Sequence, residues 1–322
     1  MNIKEAFAKS NKFLDKLMPI LTPAGVVLGL LLGTRIAHFK PLVTWLFAFI
    51  TLSGAMSLDI SDFKKVIRNP LPIIACFVCA HVITPLFVYF AGNLIFPGQP
   101  DTVTGFILLS AIPIAVASYI WTSIYYGNGA LTLTVIFLDT LLAPLMTPFV
   151  VKVLTSSNVQ IDTRGMVVSL FAMVVIPSIV GVFANHFSKN RMRDSVAPYC
   201  KPFSKIALLF VIAINTSQIA DRIHFDTSLI KIALANVGIT VFGYLLGYGV
   251  SRLMRVDKEM QVSMTFSSGM RNISAAMVLA ISFFPADSAI PVIVGIVLQQ
   301  TLSALTGYFL FAKHKKAQAA AG

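Results

Sequence analysis

Apolar stretches long enough to cross a lipid bilayer recur ten times along the chain, at 17–36, 41–58, 70–96, 103–124, 129–154, 166–186, 203–220, 230–251, 261–285 and 288–312. A helix needs about 20 such residues to span the hydrocarbon core. The polar connections between them are short, which predicts one membrane domain over 1–322 without a soluble domain. The ninth stretch interrupts its own pattern. Its centre reads Thr265-Phe266-Ser267-Ser268-Gly269-Met270-Arg271-Asn272-Ile273-Ser274. Lipid cannot satisfy bare backbone groups, so these residues predict a helix that unwinds where protein or a cavity surrounds it.

The two halves of the chain echo each other weakly. Span 1 carries Pro19, Pro23, Gly25 and Gly29, and span 6 carries Pro177 and Gly181. Span 5 reads Leu138-Asp139-Thr140-Leu141 and span 10 reads Gln299-Gln300-Thr301-Leu302. Matches five spans apart place the second half upside down, the inverted plan common among secondary transporters. That plan demands a second break, in span 4. There Ser110-Ala111-Ile112-Pro113-Ile114-Ala115-Val116-Ala117-Ser118-Tyr119 offers Pro113, which lacks a backbone donor, among small residues. The expected architecture is all-α: ten transmembrane helices in two inverted five-helix repeats, with helices 4 and 9 broken and crossing. Helix N-termini meeting at that crossing would suit an anionic ligand.

Composition agrees. Hydrophobic residues make up 57% of the 322, charged residues 12%, and the mean hydropathy is +0.82. The net charge of +12 is explained by basic residues at the cytoplasmic ends of the spans and calls for no nucleic-acid partner. With the N-terminus inside, 18 Lys and Arg fall on the cytoplasmic side and 6 outside, which places both termini in the cytoplasm. The basic segment Lys4–Lys16 is expected to lie on the membrane surface ahead of span 1. Cys76, Cys79 and Cys200 form no disulfide framework, and Cys76 and Cys79 read as small helix residues. No phosphate-binding loop, metal cluster or nucleophile elbow is present, which argues against an ATP-driven pump and against an enzyme.

Charge inside the membrane is costly and marks candidate sites. Arg271 is the only basic residue deep in an apolar stretch, and Asp139 the only acidic one. They are expected to pair, directly or through water. The pair either fixes the packing of spans 5 and 9 or forms part of a substrate or coupling site, with Asp139 a candidate proton carrier. His81 in span 3 is either a satisfied core residue or a second proton candidate. Gln299 and Gln300 are amides able to hold a carboxylate. Gly243, Gly247 and Gly249 read as close helix packing.

Several stretches together resemble the bile acid:sodium symporter family. They are Gly54-Ala55-Met56-Ser57-Leu58 with Asp62-Phe63, Tyr126-Gly127-Asn128-Gly129-Ala130-Leu131-Thr132, and Gly269-Met270 with Asn272. The resemblance runs from about Leu46 to Phe311. It implies a panel (spans 17–58 and 166–220), a core (70–154 and 230–312), and alternating-access transport of organic anions such as bile acids or small carboxylates. Together with the charges inside the membrane, it puts Ser118, Tyr119, Arg271, Asn272, Gln299 and Gln300 at the substrate, with Asp139, Thr132, Ser267, Ser268 and His81 expected to serve ion coupling or charge balance. Ser118, Thr132 and Ser267 fall at sodium-ligand positions. Yet Ser267 stands where sodium-using members carry glutamate, Arg271 where they carry glutamine, and Ala80 where span 3 supplies another glutamine. A guanidinium among cation ligands argues against two-sodium coupling and leaves sodium or a proton as the coupling ion, or none. The expected setting is a bacterial inner membrane, the expected state a monomer without cofactor, and the expected partners a small organic anion and the bilayer.

Overall fold

The computed structural model describes residues 3–58, 69–155 and 162–321. Asp62-Phe63 and the basic residues Lys64, Lys65 and Arg68 lie outside the described residues. Among those described, the chain is helical, with one isolated antiparallel bridge, Ile114 to Arg271, and no named strand.

The helices are α1 (Ile3–Leu32), α2 (Lys40–Ala55), α3 (Leu71–Ile95), α4 (Pro100–Ala111), α5 (Ala117–Ile124) and α6 (Gly129–Leu154). They continue with α7 (Thr163–Phe187), α8 (Met192–Ser217), α9 (Thr227–Leu253), α10 (Lys258–Gly269), α11 (Ile273–Phe283) and α12 (Ala289–Ala321). Among the described residues, six helical stretches, α3, α6, α7, α8, α9 and the segment Ala286–Ala319 that contains most of α12, are long and apolar enough to cross a membrane. Lys4–Lys16 continues directly into span 1 as one helix, α1.

The helices pack in two groups. α1, α2, α7 and α8 lie against one another. α3 to α6 and α9 to α12 form the second group, touching the first through α1 against α12, α7 against α6 and α8 against α11.

Three π turns interrupt these helices, at Cys79–Ile83, Phe171–Val175 and Met192–Val196. Each is followed two residues later by a proline: Pro85, Pro177 and Pro198. Proline cannot donate to the carbonyl four residues back and its ring crowds that carbonyl. Widening the turn lets the preceding amide reach one residue further, as Thr84 N–H does to Cys79 O.

Candidate functional site

Both breaks expected from the sequence are present. α4 ends at Ala111, and Ile112 turns extended (φ −69°, ψ 153°), because a residue before proline is pushed out of the helical region. α5 begins at Ala117. α10 ends at Gly269, Met270 is extended (φ −100°, ψ 132°), and α11 begins at Ile273. Gly269 is required there: a Cβ would stand 2.1 Å from the Tyr244 ring.

The two breaks meet. Asn272 N–H donates to Pro113 O at 2.8 Å, and Ala115 N–H donates to Met270 O at 3.3 Å. Side chains satisfy three more backbone groups of the breaks. Ile114 N–H donates to Asp139 Oδ2 at 2.6 Å, Arg271 N–H to Gln299 Oε1 at 3.0 Å, and Thr147 Oγ1 to Ala111 O at 2.9 Å. Asn272 caps α11 by accepting from Ala275 N–H at 3.3 Å. Unwound backbone is thus tolerated at this depth because each of these groups has a protein partner.

The crossing sorts charge by helix end. α4 and α10 arrive with their carbonyl ends, and the guanidinium of Arg271 sits on them. Its Nε donates to Ser110 O at 3.1 Å, and its Nη1 donates to Ser267 O at 3.5 Å and Met270 O at 3.3 Å. Nη2 donates to Ala80 O of α3 at 3.2 Å. Helix C-termini carry unpaired carbonyls and partial negative charge, so a buried cation is held there by four oxygens. α5 and α11 leave the crossing with their N–H ends, which carry partial positive charge.

Arg271 is 4% exposed, and its direct partners are carbonyl oxygens, not the Asp139 carboxylate. Asp139 and Arg271 therefore do not pair directly, and Asp139 takes another partner. Asp139 Oδ1 lies 2.6 Å from His81 Nε2, with both side chains fully buried. The Asp139 charge still acts on Arg271 through space. Charge counting alone misses this arrangement, since it ignores the carbonyls that a bent backbone supplies.

The other expected site residues fall around the crossing. Ser118 and Ser267 are buried, and neither hydroxyl has a hydrogen-bond partner. Tyr119 is 37% exposed on α5. Gln300 Oε1 accepts from Trp121 Nε1 at 3.0 Å, tying α12 to α5 through a residue the sequence did not single out. Thr132 Oγ1 lies 3.2 Å from Thr122 Oγ1, one turn beyond Ser118. Ser268, Arg271, Gln299, Ser110, Thr84 and Thr240 border a small cleft behind the crossing. Of the span 8 glycines, Gly247 abuts Met264 O and Ser268 and Gly243 abuts Gly269, whereas Gly249 faces open space.

Comparison with known proteins decides the family. The model of the Sodium Bile acid symporter family matches residues 44–224. An uncharacterized protein of Bacillus subtilis (strain 168), YbaS, is 41% identical over 298 residues, covering 91% of this chain and 96% of that protein. The chain belongs to the sodium bile acid symporter family. It is an integral membrane transporter of that family. YocS of the same Bacillus strain, an uncharacterized sodium-dependent transporter, is 25% identical over 87% of this chain and 88% of its own length. A probable sodium/metabolite cotransporter of rice chloroplasts, BASS2 of Oryza sativa subsp. japonica, is 26% identical over 88% of this chain and 68% of that protein. The sodium proton antiporter MjNhaP1 of Methanocaldococcus jannaschii shares the fold, with a TM-score of 0.62 over 97% of this chain and 95% of that one, at 14% identity.

Proposed function

We propose that this protein is a secondary active transporter that moves an organic anion, such as a bile acid or small carboxylate, by alternating access in symport with a cation. One observation carries the anion: α5 and α11 both begin at the crossing and direct their N–H ends there, while the carbonyl ends of α4 and α10 are already met by Arg271. The N-terminal ends carry partial positive charge that favours an anion, and the carbonyl ends met by Arg271 do not compete for it. Ser118, Tyr119, Asn272, Gln299 and Gln300 face the substrate in this reading. Arg271 supplies a fixed positive charge, and Asp139 offsets it. Each broken pair counts as one crossing, giving ten spans in two inverted repeats, with α1, α2, α7 and α8 as the panel and the remaining helices as the core. The setting is a bacterial plasma membrane, with both termini in the cytoplasm and the protein a monomer.

Sodium is the driving cation in this reading, as the family and the names of YocS and BASS2 indicate. The hydroxyls of Ser118, Thr132 and Ser267 are the oxygens offered to it. A second reading, a proton-coupled or uncoupled carrier of the same fold, rests on Arg271 occupying the four carbonyls that a bound cation would otherwise use.

The test is uptake into proteoliposomes of a labelled panel (cholate, taurocholate, and small mono- and dicarboxylates) under an imposed sodium or proton gradient. Saturable uptake of at least one acid, raised by inward sodium, is the expected result. Transport of none of them sinks the anion reading. Uptake indifferent to sodium selects the second reading.

A further inference from the structure

Arg271 and the His81–Asp139 pair together set the charge of the crossing. With Asp139 ionised, His81 Nε2–H donates to it, and Nδ1 is left with a lone pair. That Nδ1 is buried and has no hydrogen-bond partner. Asp139 Oδ2 meanwhile holds Ile114 N–H, three residues before α5 begins. The other ionisable groups facing this cluster are Arg271 from the α10–α11 break, Cys76 and Cys79 from α3 and Tyr244 from α9. With the thiols and the phenol uncharged, Arg271 and Asp139 sum to zero.

Resting on the second, proton-coupled reading above, we infer that the His81–Asp139 pair is a proton site that fills when the anion binds. An anion at the N-terminus of α5 brings a second negative charge close to Asp139 in a medium that screens poorly. One proton taken up by the pair, with His81 Nδ1 as the open acceptor, restores neutrality. The proton belongs to the pair as a unit, not to either residue. The proton crosses with the substrate and returns to water on release, so no oxidant or co-reactant is involved. Linkage requires the reciprocal effect: anion affinity rises on acidification, by up to about tenfold per pH unit while the pair is unprotonated.

Two measurements on the full chain test this. The first is an infrared titration of the protein in lipid without any anion, from alkaline to mildly acidic pH. The wild type should show a carboxyl–imidazole difference signal that His81→Gln and Asp139→Asn both lose. Gln keeps a donor toward Asp139, and Asn keeps an oxygen for Ile114 N–H, so both substitutions spare the packing. The second is addition of the uptake-panel acids to weakly buffered wild-type protein with a pH indicator. Uptake of about one proton per bound anion is expected. An acid that binds without proton uptake, or with equal uptake in both variants, overturns the inference while leaving the anion function standing. If no acid binds, the anion reading fails, and with it the linkage, whereas the infrared signal still decides whether the pair is a proton site. If neither variant folds, the wild-type proton count decides alone.

Discussion

The two breaks do the same structural job with different resources. The α10–α11 break carries its own: Gly269 makes room for Tyr244, Arg271 meets the carbonyl ends, and Asn272 caps the helix that follows. The α4–α5 break carries almost nothing. Its helix restarts at Ala117 after Val116, which offers no side-chain cap, and its open groups are met from elsewhere, by Asp139 and Thr147 of α6 and by Asn272 N–H across the crossing. A donor break and a borrowing break therefore depend on different residues, and substitutions can separate them.

The largest effect is expected at the donor. Arg271→Ala leaves the buried carbonyls of Ser110, Ser267 and Ala80 without that donor, while Met270 O keeps Ala115 N–H, at about 1–3 kcal/mol for each one that water does not reach. Transport should be lost and the thermal midpoint should fall. Arg271→Lys should recover only part, since an ammonium cannot copy the planar fork of donors. Full transport in Arg271→Ala would remove the residue from the site.

Next comes the borrowed support. Asp139→Leu strips the acceptor from Ile114 N–H and from His81, whereas Asp139→Asn retains an oxygen. The Leu variant should be less stable than the Asn variant by about 1–3 kcal/mol. Hydrogen exchange should speed up at Ile114 far more than at Arg271 N–H, which Gln299 holds. Equal exchange at both amides would show that the breaks open as one unit.

A smaller effect is expected from Asn272→Ala, which removes the α11 cap at about 1 kcal/mol while sparing the backbone bond to Pro113. Substrate affinity should change more than stability if the amide also faces the anion. The smallest is Trp121→Phe, which frees Gln300 at a cost of about 1 kcal/mol or less. Intrinsic fluorescence should then lose any response to binding that reports from the α5 side.

The contrast also explains what the sequence could reveal. The donor break was readable because its polar residues stand out in an apolar run. The borrowing break announced itself only by Pro113. The His81–Asp139 contact was not readable, because it depends on the π turn at Cys79–Ile83, and the direction of a side chain on a widened turn is not a property of spacing. Pro85 was the available signal. Arg271 stands out in the sequence, yet its partners are carbonyls, which every residue carries and no residue name displays. Gly249 matched its neighbours in spacing but faces open space, since a small residue shows that contact is permitted and not that it occurs.

The frame of the crossing is drawn by main-chain bonds, Asn272 N–H to Pro113 O and Ala115 N–H to Met270 O. No side-chain replacement can delete them, short of introducing proline. The side chains that line it, Ser267 and Arg271 among them, can accordingly be exchanged while the backbone frame that holds them stays in place. Lineages built this way can exchange one driving ion or cargo for another in a few substitutions, so members with a shared fold need not share a diet.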